Sequence, residues 1–159
     1  MNKNHFCPVC LDIKSFKDVY NDEYFDIRGE SIKVNSHYLQ CNDCAEKILD
    51  PSDEDENFKQ AYAIYRKKKN LLFPEEILEL REKYGLSQRQ LAKILGWSHV
   101  TISRYESGAL QSTSHNNELV LIKNPKNLMM LLAQNQDNMD EHDVNIVKEK
   151  LEKVLQSDQ

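Results

Sequence analysis

Two pairs of closely spaced cysteines constrain the fold of this chain more than any other feature. Cys7 and Cys10 form one CxxC motif, and Cys41 and Cys44 form a second. Each motif can direct two thiolates at one point, and four thiolates at ~2.3 Å suit a tetrahedral zinc ion. Four sulfur ligands leave no position open for water or substrate, so the motifs predict one structural Zn²⁺ and no catalytic metal.

A redox-active cysteine pair is the main alternative. It would need only one CxxC motif and a thioredoxin-like βαβ pattern, which the sequence around these motifs lacks. His5 and His37 lie near the motifs, and either would become a ligand only if one cysteine did not bind. A bound metal would add folding free energy to a unit of about 49 residues, a size at which an apolar core alone is marginal.

The residues between the cysteine pairs predict a small antiparallel sheet. Alternating runs occur at 16–20, 24–27, 31–34 and 38–40. Arg28-Gly29-Glu30 has the composition of a turn, since glycine tolerates a positive φ. A linker is expected at 50–57, which contains Pro51 and five acidic residues, and a helix at 58–72.

The rest of the chain contains repeated helix start and stop signals. Pro74 suits the first turn of a helix that Gly85 ends, and Ser87 with Gln90 forms a capping box for the next. Gly96 ends that helix. Ser98 caps a third helix that ends at Gly108, and further helices are expected at 116–123, 125–134 and 140–156. The last is amphipathic and could pack on its own domain or on a second copy.

The helices on either side of Gly96 have the pattern of a helix-turn-helix. Leu91 and Leu95 face a core, Ala92 allows a close helix crossing, and Ile102 returns the third helix to that core. A plain helical hairpin would explain the apolar positions equally well. It would not require the glycine at the turn, the small alanine and the serine cap together.

In such a motif the third helix enters the major groove of DNA. Arg104 can bind guanine through two hydrogen bonds, His99 can donate to a purine, and Val100 can contact a thymine methyl. We interpret Trp97 as a packing residue in preference to a DNA contact. The predicted DNA-binding residues, which include phosphate contacts at the helix ends, are Ser87, Gln88, Ser98, His99, Val100, Thr101, Ser103, Arg104 and Ser107.

The segment at about 73–135 resembles the phage-repressor (Cro/C1-type) family. The matching residues are Leu86-Ser87-Gln88, Leu91-Ala92, Leu95-Gly96 and TISRYESG at 101–108. The whole order resembles the MqsA-type antitoxins of bacterial toxin–antitoxin modules over about 6–134. That order runs CPVC, the Arg28-Gly29-Glu30 turn, CNDC, Tyr65-Arg66, Pro74-Glu75-Glu76-Ile77 and the repressor motif. The resemblance implies a zinc domain that neutralises a cognate toxin, and a C-terminal domain that dimerises, binds operator DNA and represses its own operon.

Three features depart from the family pattern. The 50–56 segment is unusually acidic, the tail beyond residue 135 is long, and Val100 is apolar at a base-reading position. The alternative function is a stand-alone zinc-containing helix-turn-helix transcriptional regulator. No Ser/His/Asp set or phosphate loop stands out, so we expect no enzyme and no small-molecule substrate.

The expected fold is α+β, with a small zinc-bound antiparallel β domain followed by an all-α, repressor-like domain of five helices. We expect a zinc domain with four cysteine ligands at 1–49, followed by an acidic linker with a connecting helix at 50–73. The helix-turn-helix domain is expected at 74–135, and an amphipathic C-terminal helix at 136–159.

The formal net charge of −5 is unusual for a DNA-binding protein, but a dimer can present basic groups on one face. Two-fold operators need two recognition helices about one helical turn apart, so we expect a homodimer. No run approaches the ~20 apolar residues of a spanning helix, and no signal peptide pattern begins the chain. These features predict a cytoplasmic protein without a membrane partner.

Overall fold

The computed structural model describes residues 3–157 and divides into two compact units, Met1–Lys68 and Lys69–Gln159. We call them the sheet unit and the helical unit. The α+β class is confirmed, with a four-stranded antiparallel sheet followed by helices. Within the described range, no helix has the length and apolar character needed to cross a membrane.

The sheet unit contains four strands in the order β1-β2-β3-β4, followed by one helix. Their bounds are β1 Lys3–Cys7, β2 Asp12–Ile27, β3 Glu30–Cys41, β4 Lys47–Ile48 and α1 Glu56–Lys69. The four short runs expected from the sequence are parts of the two long strands β2 and β3, which pair from Phe16↔Cys41 to Ile27↔Glu30. The sequence did not indicate β1 or β4.

A two-residue turn joins β2 to β3 in a β-hairpin. Arg28 and Gly29 have φ of 50° and 83°, which is the pattern of a type I′ turn. The Asp26 carboxylate accepts a hydrogen bond from the Gly29 N–H at 2.8 Å. The turn expected at 28–30 is therefore present, and it fixes the register of the whole hairpin.

The two faces of the sheet bury different residues, because side chains alternate along a strand. Ile32, Val34 and Ser36 are buried on one face of β3, where the Phe58 ring of α1 contacts Phe25 with ring centroids 5.1 Å apart. The odd-numbered residues of β3 belong to the opposite face. There a small core forms around the cysteines, comprising Cys7, Phe16, Leu39 and Cys41.

The helical unit is built from α2 to α7 around one apolar core. Their bounds are α2 Pro74–Lys83, α3 Gln88–Leu95, α4 His99–Glu106, α5 Thr113–Leu121, α6 Pro125–Asn135 and α7 Glu141–Ser157, with a short 3-10 turn at Gln136–Asn138. Fully buried side chains include Leu91, Ile94, Ile102, Leu119, Ile122, Leu128, Val147 and Leu151. The C-terminal helix α7 therefore packs on its own unit.

Two helices differ from the sequence expectation at their ends. The helix expected at 58–72 starts at Glu56 and stops at Lys69, because Asn70 adopts a left-handed φ of 55°. The helix expected at 116–123 starts at Thr113, because the Ser112 hydroxyl caps it by accepting from the His115 N–H at 3.1 Å. Local capping chemistry overrode the apolar periodicity in both cases.

Candidate metal centre and nucleic-acid interface

The structure brings the four predicted cysteines together at the end of the sheet. Their sulfur atoms all lie within 4.8 Å of one another, and the Sγ atoms of Cys7 and Cys44 are 3.5 Å apart. All four are free thiols. A tetrahedral ion with ~2.3 Å bonds sets its sulfur ligands ~3.8 Å apart, so the cluster has the size and donor chemistry that zinc requires.

The two CxxC motifs adopt the same backbone turn. The N–H of the residue after each second cysteine donates to the carbonyl of the first, from Leu11 to Cys7 at 2.8 Å and from Ala45 to Cys41 at 3.0 Å. Leu11 and Ala45 both have positive φ, 56° and 65°. A side chain in this conformation costs about 1–2 kcal/mol. The repeated geometry indicates that the chain tolerates local strain to direct the thiols at one point.

The thiols perturb one another strongly. Donation from the Cys10 N–H, at 3.4 Å from Cys7 Sγ, is the main reason that the pKa of Cys7 falls to about 7. The pKa of Cys10 rises to about 12, chiefly because its thiol shares a hydrogen bond with Cys44. All four groups could be thiolates at this spacing only beside a cation that neutralises them, and a divalent metal would fill that role.

The helical unit contains the turn that the sequence predicted between α3 and α4. The Ser87 hydroxyl accepts from the Gln90 N–H at 3.1 Å while Gln90 accepts from the Ser87 N–H, which completes the capping box. Gly96 adopts a left-handed φ of 74° after α3. The Ser98 hydroxyl then accepts from the Val100 N–H and begins α4.

The predicted DNA-binding residues lie on the exposed side of this motif. Leu91, Leu95 and Ile102 are buried, which turns the opposite surface of α4 outward. Exposed side chains are Ser87, Ser98, His99, Val100, Arg104 and Ser107; half-buried ones are Gln88, Thr101 and Ser103. Two helix N-termini and one flexible guanidinium therefore share a surface that could accept phosphates and base edges.

Trp97 packs inside the helical unit. Its ring stacks on His115 with centroids 4.0 Å apart, and its Nε1–H donates to Glu118 at 2.9 Å. The Tyr105 hydroxyl hydrogen-bonds His115 Nδ1 at 2.7 Å. This group fixes α4 against α5. No local motif in the sequence indicates the roles of His115 and Glu118, because their partners lie outside α5.

An ion pair holds α4 from its other end. Arg81 of α2 donates to both carboxylate oxygens of Glu106, at 3.0 and 2.7 Å, and also to the Leu86 carbonyl. The side chains of Arg81 and Glu106 are only 17% and 8% exposed. A bidentate, largely desolvated pair of this kind fixes orientation strongly. The exposed surface of α4 is therefore presented by a rigid scaffold.

Each unit also exposes apolar side chains. In the sheet unit, Phe6 and Ile13 lie directly opposite each other on β1 and β2 and are 54% and 59% exposed. In the helical unit, Leu121 and Met130 are 60% and 70% exposed beside a groove of about 220 Å³. Exposed apolar clusters commonly mark protein–protein contacts.

The chain therefore combines a sheet unit whose four cysteines could hold a metal ion with a helical unit that contains a capped helix-turn-helix. Residues 5–141 match the family described as the antitoxin component of a bacterial toxin-antitoxin system, MqsA, and the chain belongs to that family. It is 29% identical over 107 residues to Antitoxin MqsA of Escherichia coli (strain K12), which covers 66% of this chain and 81% of that protein.

Proposed function

We propose that this antitoxin binds and neutralises a cognate toxin through its N-terminal zinc domain and represses its own operon through its helix-turn-helix. Membership of the MqsA antitoxin family carries the proposal. The cofactor is one structural zinc held by Cys7, Cys10, Cys41 and Cys44, whose mutual spacing supports it. Free thiols and a DNA target both fit action in the cytoplasm.

Bound zinc would supply folding free energy and no reaction chemistry, because four thiolates fill its coordination. The chain's own residues would do the binding. A zinc ion bound by both CxxC turns would hold β1 beside β2 and so preserve the surface that contains Phe6 and Ile13. We assign toxin contact to this exposed apolar pair.

The toxin proposal is tested by co-expression with the neighbouring gene. The wild-type chain should restore growth and co-purify with the gene product. The double variant Phe6→Ser, Ile13→Thr should lose most co-purification while retaining zinc. Tyr24→Ser, which changes an exposed aromatic residue of β2 outside this pair, is the control. A neighbouring product that is harmless alone would instead favour a stand-alone regulator.

Sequence-specific DNA binding is assigned to Ser87, Gln88, Ser98, His99, Val100, Thr101, Ser103, Arg104 and Ser107. Arg104 is exposed on α4 and can contact guanine through two hydrogen bonds. Arg104→Ala should cost about 1–3 kcal/mol of operator binding in a gel-shift titration. Lys126→Ala removes an exposed charge from α6 and should leave sequence discrimination intact. Unchanged operator affinity in Arg104→Ala would reject the assignment.

We assign homodimerisation to the apolar groove at Leu121, Met130 and Leu131. A second copy would cover these side chains and place two α4 helices on a two-fold operator. Leu121→Glu should shift sedimentation towards the monomer and weaken operator binding. Gln134→Glu, an exposed change on α6 outside the groove, should do neither.

A further inference from the structure

A second cluster of metal-binding side chains lies on the same sheet face as the cysteines. His37 precedes Cys41 by four residues on β3, so it lies roughly 13 Å from it along the strand. It borders a cavity of about 490 Å³ whose lining includes Tyr20, Asn35 and Gln60. The antitoxin function assigned above makes no use of this cluster.

Three ligand-bearing side chains converge there, one from β3 and two from the 50–56 segment. One ring nitrogen of His37, a carboxylate oxygen of Asp50 and one of Glu56 all lie within 4.8 Å of one another. His37 Nδ1 hydrogen-bonds Glu56 Oε1. One imidazole nitrogen with two carboxylates is a donor set that zinc accepts, with water completing the coordination. Calcium and magnesium prefer oxygen ligands alone, so the imidazole favours a transition metal.

The other side of the imidazole is already oriented. His37 Nε2 is 2.7 Å from Asp18 Oδ1, and Lys3 Nζ holds the same carboxylate oxygen at 3.0 Å. Metal-binding histidines usually donate their second ring N–H to a carboxylate in this way, which fixes the tautomer and directs the free nitrogen at the metal. The His37 ring thus has the outer-shell partner that a metal ligand requires.

The ligands are also fixed by their own local contacts. The Asn57 side chain brackets the His37 backbone, accepting from its N–H at 2.8 Å and donating to its carbonyl at 3.0 Å. Asp50 Oδ1 accepts from the Ser52 N–H and hydroxyl, while Oδ2 lies 3.7 Å from Lys3 Nζ and is the oxygen that a metal would bind. The side chains of Asp50 and His37 are each only 13% exposed.

The charges of the cluster suit a divalent cation. Asp18, Asp50 and Glu56 contribute three negative charges, and Lys3, which lies 3.0 Å from Asp18 and 3.7 Å from Asp50, contributes one positive charge. With His37 neutral and its proton on Nε2, one M²⁺ ion balances the site. In the metal-free chain an imidazolium with protons on both nitrogens donates to Asp18 and to Glu56; the ion replaces its Nδ1 proton, which is released to solvent.

We propose that His37, Asp50 and Glu56 form a second metal site for a divalent transition cation of the zinc type, with Asp18 as the residue that orients His37. Asp50 and Glu56 lie at the two ends of the acidic 50–56 segment. Bound metal would therefore fasten that segment to the sheet. The acidic composition of this segment favoured a linker in the sequence analysis, and in this proposal two of its carboxylates are metal ligands.

The test is the zinc stoichiometry of the full-length chain in equilibrium dialysis with buffered free zinc. The cysteine cluster takes the first equivalent, and the wild-type chain should take a second, weaker one at neutral pH. Cobalt added to the singly zinc-loaded protein should give weak d–d absorption without the intense thiolate bands of a site with four cysteine ligands. That spectrum separates the new site from exchange at the cysteines.

Variants assign the second equivalent to residues. His37→Gln should weaken it by at least about tenfold, and Asp18→Asn by about 10–100-fold. Glu54→Gln, an exposed change within the same segment, is the matched control and should leave it unchanged. Retention of the first equivalent reports that the sheet unit has folded. If His37→Gln loses the first equivalent, Asp50→Asn replaces it as the test variant, because it changes a ligand of the second site without altering a strand.

Limited proteolysis supplies a readout that does not count metal. The second equivalent should slow cleavage within 50–56 in the wild-type chain and not in His37→Gln. The proposal is overturned if the wild-type chain stops at one equivalent, or if His37→Gln and Asp18→Asn bind the second as tightly as Glu54→Gln. Neither result bears on toxin or operator binding, which are measured separately.

Discussion

The two units of this antitoxin differ in how much apolar core stabilises them. The sheet unit has a small core of four side chains around the cysteines and a second buried set, including Ile32 and Val34, on its other face. Three of its turns hold non-glycine residues at positive φ. The helical unit buries a contiguous apolar core contributed by all six of its α-helices. A unit with little apolar core depends on metal, while a unit with a full core can stand on packing alone.

This contrast can be measured in one molecule. Trp97 is the only tryptophan of the chain and lies in the helical unit, so its fluorescence follows that unit. Zinc release to a colorimetric chelator follows the sheet unit. Denaturation read by both signals should give two transitions, and each variant below should move one of them.

The largest effect is expected from removing a zinc ligand. Cys41→Ser should abolish tight zinc binding and unfold the sheet unit, since structural zinc contributes ~10–16 kcal/mol in comparable small domains. The Trp97 transition should barely move. Val9→Ser changes an exposed residue between two ligands and should retain the metal. A sheet unit that stays folded without zinc would end the contrast between the units.

The next largest effect is expected in the helical unit and should leave the sheet unit unchanged. Leu151 of α7 is fully buried, so Leu151→Ala should destabilise the helical unit by about 2–5 kcal/mol through lost burial and a cavity. Zinc content should be unchanged. Leu155, one turn later and half-buried, is the control, and Leu155→Ala should cost clearly less. Equal losses would mean that α7 is not part of this core.

A smaller effect is expected at the ion pair between α2 and α4. Glu106→Gln removes the charge that Arg81 binds and should cost about 2–3 kcal/mol of helical-unit stability, because the pair is largely desolvated. Operator affinity should fall with it, since α4 loses its anchor. Glu79→Gln, an exposed change on α2, is the control. If Glu106→Gln binds the operator normally and its Trp97 unfolding transition is unchanged, the ion pair does not position α4.

The smallest effect is a gain in the sheet unit. Ala45→Gly relieves the positive φ of 65° and should stabilise the zinc-bound unit by about 0.5–1 kcal/mol. The same substitution at Ala63, inside α1, should destabilise it by about as much, because glycine weakens a helix interior. Opposite signs in the zinc-release transition would confirm that the CxxC turn stores strain, and matching signs would refute it.

Much of the helical unit could be predicted because its signals are local. The Ser87–Gln90 capping box, the left-handed Gly96 and the Ser98 cap each involve residues within four positions of one another. The Arg28-Gly29 turn is of the same kind, since the φ values it needs are permitted by the residues themselves. Such features are present in a sequence before any tertiary contact forms.

Other features could not be predicted because their partners are distant in sequence. β1 and β4 were missed, since five- and two-residue strands exist only through pairing with β2 and β3. The Trp97–His115–Glu118 group required α5 to lie beside the turn. His37, Asp18 and Glu56 became a cluster only when a strand pairing and a helix start placed them together.

Neighbouring residues alone specify the caps of α3 and α4, the hairpin turn and the two cysteine motifs, because these features rest on short-range hydrogen bonding and φ preferences. Tertiary structure decided the lengths of the strands, which side chains brace α4, and where the acidic segment places its carboxylates. Those outcomes depend on distances between remote residues, and only the packed chain fixes such distances.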